Sequence, residues 1–263
     1  MARKLLPGEL PPEDFAIYVR NWQRARAEDM PNLFYGFDTV QDQTERIAAY
    51  SLTDDQIASI VELGNKAGED VGFIVHLGLD ENYLGSFAPV SPHFFFILQV
   101  IDGKNTEPFE GGFRMQWDPN PTLPTSATDA AQSGIDAIPG AGAYLFVFSW
   151  LETPHGSLSN VFELSAAELG RRVKCFKYGV KNKNSNSPSE SEVIHQTLVD
   201  TVTNGEAKLS VYMGRGIQVS THPVEFRPIL EVGEKASSSP RANNDGGNGG
   251  GNFYDYSNPS PPY

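Results

Sequence analysis

The chain has 263 residues, 39% of them hydrophobic and 11% aromatic, which is typical of a globular protein with a core and excludes a fibrous or wholly disordered chain. At this length the fold needs no disulfide or metal to stabilise it. The formal net charge of −13 argues against a free nucleic-acid-binding protein, because contacts with phosphates require an excess of Lys and Arg.

The first part of the chain predicts two helices followed by two apolar strands. Residues 11–14 (PPED) begin the first helix, because proline and acidic side chains suit a first helical turn. Residues 53–56 (TDDQ) form a capping box that begins the second helix. Residues 72–79 alternate in hydrophobicity as a strand does. Residues 93–101 are the densest apolar run and predict a central strand that is buried on both faces.

The middle of the chain predicts further strands around a long proline-rich segment. Residues 112–117 predict a strand, and residues 118–142 contain four prolines, so this segment is either an inserted excursion or a lid over a site. Residues 143–151 are the second strongly hydrophobic stretch and predict another strand. A basic strand is predicted over residues 172–180.

The last part predicts one more helix, two strands and a tail. Residues 165–168 (SAAE) form another capping box before a short helix. The last helix begins at Ser187-Pro188 or at the capping box Ser189-x-x-Glu192, and strands follow at residues 208–213 and 224–232. Pro228 predicts that the final strand lies at a sheet edge, since proline has no N–H for a ladder hydrogen bond. After that strand the composition changes to Gly, Asn, Ser and Pro, which predicts a disordered tail over residues 234–263.

The helix–strand–strand segment at residues 53–101 is similar to the one at residues 189–232. The capping-box residues Thr53 and Ser189 are 136 positions apart, and the alignment runs without a gap through the following strand. One interpretation is an internal duplication, in which two units share one core and a ligand or partner binds between them. The other is that apolar strands after a helix look alike in many unrelated proteins.

These elements predict an α+β fold with mixed, mostly antiparallel sheets, three to five helices and the duplication just described. We expect a flexible arm over residues 1–8, a single domain over residues 9–233 and the tail over residues 234–263. The single cysteine, Cys175, excludes an internal disulfide, and the first ten residues are too polar for a signal peptide. We therefore expect a cytoplasmic protein that makes no contact with a membrane.

Two histidines lie on strands that are predicted to be neighbours. His76 and His93 could in principle form a metal or acid–base site, but neither belongs to a motif that sets ligand spacing. Satisfied core or surface histidines are the favoured interpretation, and we predict no catalytic residue, no metal and no cofactor. A pocket at the junction of the two halves would be lined by His76, His93 and Trp117, beneath the proline-rich segment.

Two further regions are candidates for binding a partner. Residues 171–183 carry six basic side chains and no acidic one, which fits either a patch for an acidic partner or an edge strand kept soluble by lysines. The aromatic tip of the tail fits either a docking peptide on a flexible tether or a neutral low-complexity end. The candidate residues are Arg171, Arg172, Lys174, Lys177, Phe253, Tyr254, Tyr256 and Tyr263.

The sequence favours a cytoplasmic non-enzymatic protein that acts by self-assembly as a homo-oligomer or by binding a protein partner. The alternative is an enzyme or small-ligand-binding protein, with a pocket between the two halves covered by residues 118–142. A third hypothesis is an accessory of a nucleic-acid system that acts through residues 171–183. Because the chain is acidic, nucleic acid is the least favoured partner.

Overall fold

The computed structural model describes residues 4–38, 43–80, 92–102, 111–124, 137–138, 140–163, 172–178, 189–203, 207–216, 225–234, 252–254 and 258–260. In this part of the chain there are five α-helices and fourteen strands. Every pairing between the described strands is antiparallel. The predicted α+β class with mostly antiparallel sheets is therefore confirmed.

The elements fall into two sets that follow one another along the chain. We name residues 9–118 the first unit. It contains β1 (Glu9–Leu10), α1 (Pro12–Arg24), β2 (Tyr35–Asp38), β3 (Gln43–Arg46), β4 (Ala49–Ser51), α2 (Asp54–Ala67), β5 (Val71–Leu79), β6 (Phe94–Asp102), β7 (Gly112–Arg114) and β8 (Gln116–Asp118).

We name residues 137–260 the second unit. It contains β9 (Ala137–Ile138), α3 (Gly140–Leu151), α4 (Leu158–Val161), β10 (Cys175–Tyr178), α5 (Glu190–Val202), β11 (Ala207–Arg215), β12 (Phe226–Glu234), β13 (Asn252–Tyr254) and β14 (Asn258–Ser260). The predicted capping boxes at Thr53 before α2 and at Ser189 before α5 are present, and the one predicted at residues 165–168 lies outside the described residues.

The strands form two six-stranded sheets, beside a separate β2–β3 hairpin. The first sheet has the order β1-β7-β6-β5-β10-β14, and the second has the order β9-β13-β12-β11-β4-β8. In each sheet, four strands come from one unit and the two at one end come from the other unit. The two units are therefore interlocked by exchanged strands rather than placed side by side.

Equivalent elements of the two units have matching bounds and registers. Helix α5 begins 136 residues after α2, and β11 begins 136 residues after β5, as the sequence spacing indicated. Val71 faces Asp102 at the end of the β5–β6 hairpin, and Ala207 faces Glu234 at the same place in the β11–β12 hairpin. The two hairpins are therefore equivalent in geometry as well as in order.

Side chains from both sheets form one large core. The buried face of β6 and the buried face of β12 both contribute to it, and the Phe96 and Phe226 rings stack with their centroids 6.2 Å apart. The prediction that β6 is buried on both faces is confirmed over residues 94–100. The two apolar strands, one near each end of the folded chain, therefore share one interior.

Equivalent aromatic residues meet at the centre of this core. Trp22 of α1 and Trp150 of α3 are fully buried, and each donates its indole N–H to a main-chain carbonyl of the other unit, at 2.7 and 2.8 Å. Phe34 and Phe162 stack with centroids 4.9 Å apart and planes inclined by 12°. Phe34 and Phe162 each follow the buried tryptophan of their own unit by 12 residues, so the same tryptophan–phenylalanine spacing occurs in both units.

The four longer helices occupy two kinds of position. Helix α1 packs against β5 of the first sheet, and α3 packs in the same way against β11 of the second sheet. Helices α2 and α5 pack against one another and against strands of both sheets. One outer helix therefore belongs to each sheet, and α1 and α3 are equivalent.

Residues 143–151 were predicted to form a strand and instead belong to helix α3, so that prediction was wrong. A continuous apolar run does not distinguish a buried strand from a buried helix by its periodicity. The burial settles the question, since Ala143, Val147 and Trp150 are buried at helical spacing while residues between them are exposed.

Two strands that were predicted to be edges lie inside sheets. Strand β12, with its Pro228, is paired with β11 and β13, and the basic strand β10 is paired with β5 and β14. Pro228 does not interrupt a ladder here, because β13 pairs only with residues 230–232. The outer neighbours β13 and β14 come from the predicted tail, which the edge predictions did not take into account.

Parts of the predicted arm and tail are ordered by pairing and packing. The Pro7 carbonyl of the arm accepts a hydrogen bond from Ser59 Oγ at 3.0 Å. Segments 252–254 and 258–260 of the tail are strands, so the predicted disorder does not extend to them. The remainder of residues 235–263 lies outside the described residues.

Candidate functional site

Helix α3 exposes large apolar side chains on its outer side. Tyr144, Leu145 and Phe148 are 39%, 49% and 48% exposed, and they are the large exposed hydrophobic residues among those described. We name these three residues the α3 face. The Tyr144 and Phe148 rings stack with centroids 5.9 Å apart, and no residue of α3 is charged. Contiguous apolar surface of this kind is a mark of interaction sites.

The equivalent helix α1 presents a different outer surface. It carries Ala16, Ile17 and Arg20 at the positions where α3 carries Tyr144, Leu145 and Phe148, and its first turn is acidic. Ala16 and Arg20 are exposed, as the equivalent residues of α3 are. The two helices are therefore alike toward the core and differ on the outside, so core packing does not explain the α3 face.

A cleft of about 430 Å³ opens at the C-terminal end of α3, where the two units meet. We name it the junction cleft. Leu151, one helical turn beyond Phe148, lines it, so the cleft is continuous with the α3 face. The other lining residues come from the first unit and from the segment that follows it, and they are Glu45, Arg46, Ala48, Trp117, Asp118, Pro119, Asn120, Pro121 and Leu123.

Arg46 holds the two units together beside this cleft. Its Nη1 donates to the main-chain oxygens of Trp150 at 2.9 Å, of Leu151 at 3.1 Å and of Thr153, and its Nη2 donates to the Tyr35 hydroxyl at 2.7 Å. These carbonyls are the unpaired acceptors at the end of α3, where the helix dipole favours a cation. Arg46 therefore caps the C-terminal end of α3, and both of its terminal nitrogens already donate hydrogen bonds within the protein.

The equivalent arginine of the second unit has the same role. Arg172 Nη1 donates to the main-chain oxygens of Trp22 at 2.9 Å and Ala25 at 2.8 Å, and so caps α1. Arg172 was predicted to bind a partner, and that stays a prediction; its half-buried guanidinium lies against the end of α1. A cation at this position satisfies the last carbonyls of the helix and suits the negative end of the helix dipole.

Trp117 forms one wall of the junction cleft, and its ring is closely fitted to β2. A Cβ atom at Gly36 would lie 2.5 Å from the Trp117 ring, so only glycine leaves room for the indole. Asp118 follows it and accepts a hydrogen bond from the Asn120 N–H at 3.1 Å, which turns the chain into the proline-rich segment. The wall and the acidic group beside it are therefore held in place.

A buried polar cluster anchors the same segment to the second sheet. The Tyr212 hydroxyl oxygen lies 2.8 Å from the Thr122 carbonyl oxygen and 2.8 Å from Glu231 Oε2, and Lys208 Nζ pairs with Glu231 at 2.6 Å. Burial, together with the Glu231 charge, raises the pKa of Tyr212 well above its usual value. Tyr212 therefore remains a neutral hydrogen-bonding group and acts as an anchor.

The predicted pocket residues are not brought together. His76 lies on the outer side of β5 under α1, with its ring edge-on to Phe15 and Nε2 2.8 Å from Gln99 Oε1. Burial lowers the pKa of His76 to about 4, so it is neutral at pH 7. His93 precedes β6, and its carbonyl accepts from the Asp80 N–H. Only Trp117 lines the junction cleft, so the proposed set of His76, His93 and Trp117 does not form one pocket.

The remaining predicted partner-binding residues are scattered. Phe253 and Tyr254 are buried in β13, where they pair with β12, and cannot serve as docking side chains there. Lys174 lies just before β10 and Lys177 lies on it, and both side chains are half-buried. Arg171, Tyr256 and Tyr263 lie outside the described residues.

The α3 face was missed because residues 143–151 were assigned to a buried strand. Reading the segment as a helix from Gly140 would have placed Tyr144, Leu145 and Phe148 on the side opposite Ala143, Val147 and Trp150. The tryptophan spacing was an available signal, since Trp22 and Trp150 are 128 positions apart in equivalent helices.

Comparisons with protein-family models, with curated proteins and with solved structures found no match for this chain. The described helices include none of the length and apolar character that crossing a membrane requires. Within the described ranges, no three His, Cys, Asp or Glu side chains are grouped as a metal-binding set.

Proposed function

We propose that this protein is a cytoplasmic, non-enzymatic binding protein whose partner protein docks on the α3 face. The observation that carries this proposal is the exposure of Tyr144, Leu145 and Phe148 on a helix without charge. The equivalent helix α1 carries Ala16, Ile17 and Arg20 at the same positions and no aromatic side chain there, so the fold itself does not require these residues. Aromatic side chains with this exposure are typical of interface cores.

The size of the face supports a regulated or transient complex. A standard interface buries roughly 800 Å² on each partner, and three half-exposed side chains supply only part of that area. The adjoining junction cleft and its polar rim extend the surface. An apolar centre with a polar rim is the usual anatomy of a protein interface.

Charge favours a basic partner over a second copy of this chain. Each copy carries −13, so two copies repel one another except where local charges compensate. Glu45, Asp118 and the exposed Glu152 border the apolar surface near the end of α3. An interface with this rim is complementary to a basic surface.

The test compares Phe148→Glu with Ala16→Glu, which adds the same charge to the equivalent helix α1. Pull-down of binding proteins by the full chain, with light scattering after size-exclusion chromatography, measures both capture and self-association. We expect Phe148→Glu to reduce capture of a basic protein at least tenfold and Ala16→Glu to leave it unchanged. A strict monomer whose captured proteins are insensitive to Phe148→Glu would refute the proposal, and a dimer disrupted by Phe148→Glu would assign the face to a second copy.

A second candidate is small-ligand binding or catalysis in the junction cleft, since its volume of about 430 Å³ lies within the usual range of ligand sites. A thermal-shift screen with small molecules tests this candidate. The nucleic-acid hypothesis is weakened by the role of Arg172 as a helix cap.

A further inference from the structure

The junction cleft combines an aromatic wall with two carboxylates. Trp117, Glu45 and Asp118 line the same cavity, and Leu151 joins that cavity to the α3 face. We infer that the cleft receives one basic side chain of the docked partner, a Lys or Arg whose charge pairs with Glu45 and Asp118 while its methylene groups lie along Trp117. This inference rests on the proposed function, because it takes the occupant from the partner that binds the α3 face.

The chemistry of the lining favours a cation over a neutral or anionic group. A cation over an indole face is attracted by the ring electrons, and tryptophan is the strongest partner of this kind. Carboxylates on the rim add charge-assisted hydrogen bonds to an ammonium or guanidinium group. Among the described lining residues the only cation is Arg46, which is directed to the α3 carbonyls and the Tyr35 hydroxyl and so is not aimed at an anionic ligand.

The combination of an indole ring with carboxylates occurs at only one of two equivalent places in the fold, just as the α3 face occurs on only one of two equivalent helices. The strand pairings make Pro259 and Ser260 of β14 equivalent to Trp117 and Asp118 of β8. Neither Pro259 nor Ser260 offers a charge or an indole. The features that would recognise a basic side chain therefore occur together on the side of the molecule that carries the α3 face, although the fold offers two equivalent places for them.

The packing of Trp117 makes it a defined wall. Its ring is backed by Gly36, where a Cβ atom would lie 2.5 Å from the indole, so one side of the ring is fixed against β2. The Tyr212 contact to the Thr122 carbonyl holds the segment that follows Asp118. A preformed wall of this kind binds without an ordering cost of its own.

The three tryptophans provide a direct experiment on the full chain. Trp22 and Trp150 are fully buried and donate to main-chain carbonyls, whereas Trp117 is half-exposed in the cleft. In a ¹⁵N–¹H spectrum, titration with N-acetyl-arginine amide should move the Trp117 indole signal saturably, with a millimolar midpoint that rises with salt. The Trp22 and Trp150 signals should stay in place, and Trp117→Phe identifies the third signal.

The matched controls separate charge from hydrophobic contact. N-acetyl-norleucine amide and N-acetyl-glutamate amide should leave the Trp117 signal unchanged. The double variant Glu45→Gln with Asp118→Asn should weaken the arginine response at least tenfold, with unchanged urea unfolding showing that it folds. An unsaturable response, or an equal response to norleucine or glutamate amide, overturns the inference.

The outcome also distinguishes this inference from the proposed function. If Phe148→Glu abolishes partner capture while the Trp117 indole signal does not change with arginine amide, the docking proposal stands and the cleft assignment fails. If Trp117 responds to arginine amide while capture is insensitive to Phe148→Glu, the occupant is a free cation and the assignment to a partner side chain fails.

Discussion

The two units of this molecule agree in their interior and differ on one outer surface. Trp22 and Trp150 have the same burial and the same kind of hydrogen bond, and Arg46 and Arg172 cap equivalent helices. The α3 face, in contrast, has Ala16, Ile17 and Arg20 as its counterparts on α1, where neither of its two aromatic side chains recurs. A shared core requires both units to keep its packing, whereas an outer surface is constrained only by what it binds or by solvent.

The buried polar side chains under the outer helices α1 and α3 are alike in position but differ in residue type between the two units. His76 and Gln99 of the first unit are equivalent to Tyr212 and Glu231 of the second, since Ile97 faces His76 and Ile229 faces Tyr212. Both pairs are hydrogen-bonded under an outer helix, but only the second pair reaches the proline-rich segment. In the second unit, Tyr212 at this equivalent position therefore holds the proline-rich segment that lines the junction cleft.

Replacing the equivalent tryptophans should have the largest effect on stability and tests whether the two units are equivalent in their interior. Trp22→Ala and Trp150→Ala should each cost about 3–5 kcal/mol of unfolding free energy, because each leaves a large cavity and an unpaired carbonyl. Urea denaturation of the two variants measures both losses. Losses that differ by more than about 2 kcal/mol would show that the units are not equivalent in their interior.

Acid should distinguish the units through His76, since the second unit has Tyr212 in its place. Burial lowers the folded-state pKa of His76 to about 4, below its ordinary value near 6.5, against the weaker opposing effect of the Gln99 hydrogen bond. The unfolded chain therefore binds more protons between these values, and stability falls as pH drops from about 6.5 to about 4, by about 3 kcal/mol from this group.

The His76 prediction can be checked by urea denaturation of the natural chain and His76→Gln at several pH values. The variant should show a smaller loss in this interval, although the lowered pKa of His195 leaves a residual dependence of the same sign. The charges near His76 are Lys174 and Lys177, which act in the same direction as burial. An unchanged pH dependence in His76→Gln would contradict this assignment.

Removing the equivalent arginine caps should have a somewhat smaller effect. Arg46→Met and Arg172→Met each leave helix carbonyls without a donor, which costs about 1–3 kcal/mol. Arg46→Met should also change the Trp117 indole signal, because Arg46 and Trp117 line the same cleft, whereas Arg172→Met should not. Equal changes of the Trp117 indole signal in both variants would argue against a cleft that Arg46 lines and Arg172 does not.

The smallest effects are expected at the two capping boxes. Thr53→Ala and Ser189→Ala each remove a side chain that accepts from the third helical N–H, and each should cost about 1 kcal/mol. Urea denaturation again gives the measurement, with Thr53→Ser as the conservative control. A loss confined to one helix would show that the equivalence does not extend to the helix starts.

The sequence predicted those parts of the fold whose signals are local. Capping boxes and alternating strands are contained in short segments, and they located α2, β5, α5 and β11. Residues 143–151 were assigned to the wrong element because a continuous apolar run carries no periodicity. The tail strands were missed because residues 252–254 and 258–260 are ordered by distant partners rather than by their own composition.

The candidate site was largely beyond prediction for the same reason. Trp117 was predicted as a pocket residue and lines this cleft, as do Asp118, Pro119, Asn120, Pro121 and Leu123 of the proline-rich segment. Glu45 and Leu151, however, line the same cleft although they lie more than 100 residues apart in the chain, and no local pattern indicates that they do. The histidines drew attention by residue type, and His76 is buried beneath Phe15 on the other side of the first sheet.

Photo-crosslinking from equivalent positions tests the central claim most directly. A benzophenone amino acid is placed at Phe148 of α3 in one protein and at Arg20 of α1 in another, and adducts are identified by mass spectrometry. The account predicts adducts from position 148 to a basic segment of one partner and none from position 20. Equal adducts from both positions, or none from position 148, would contradict it.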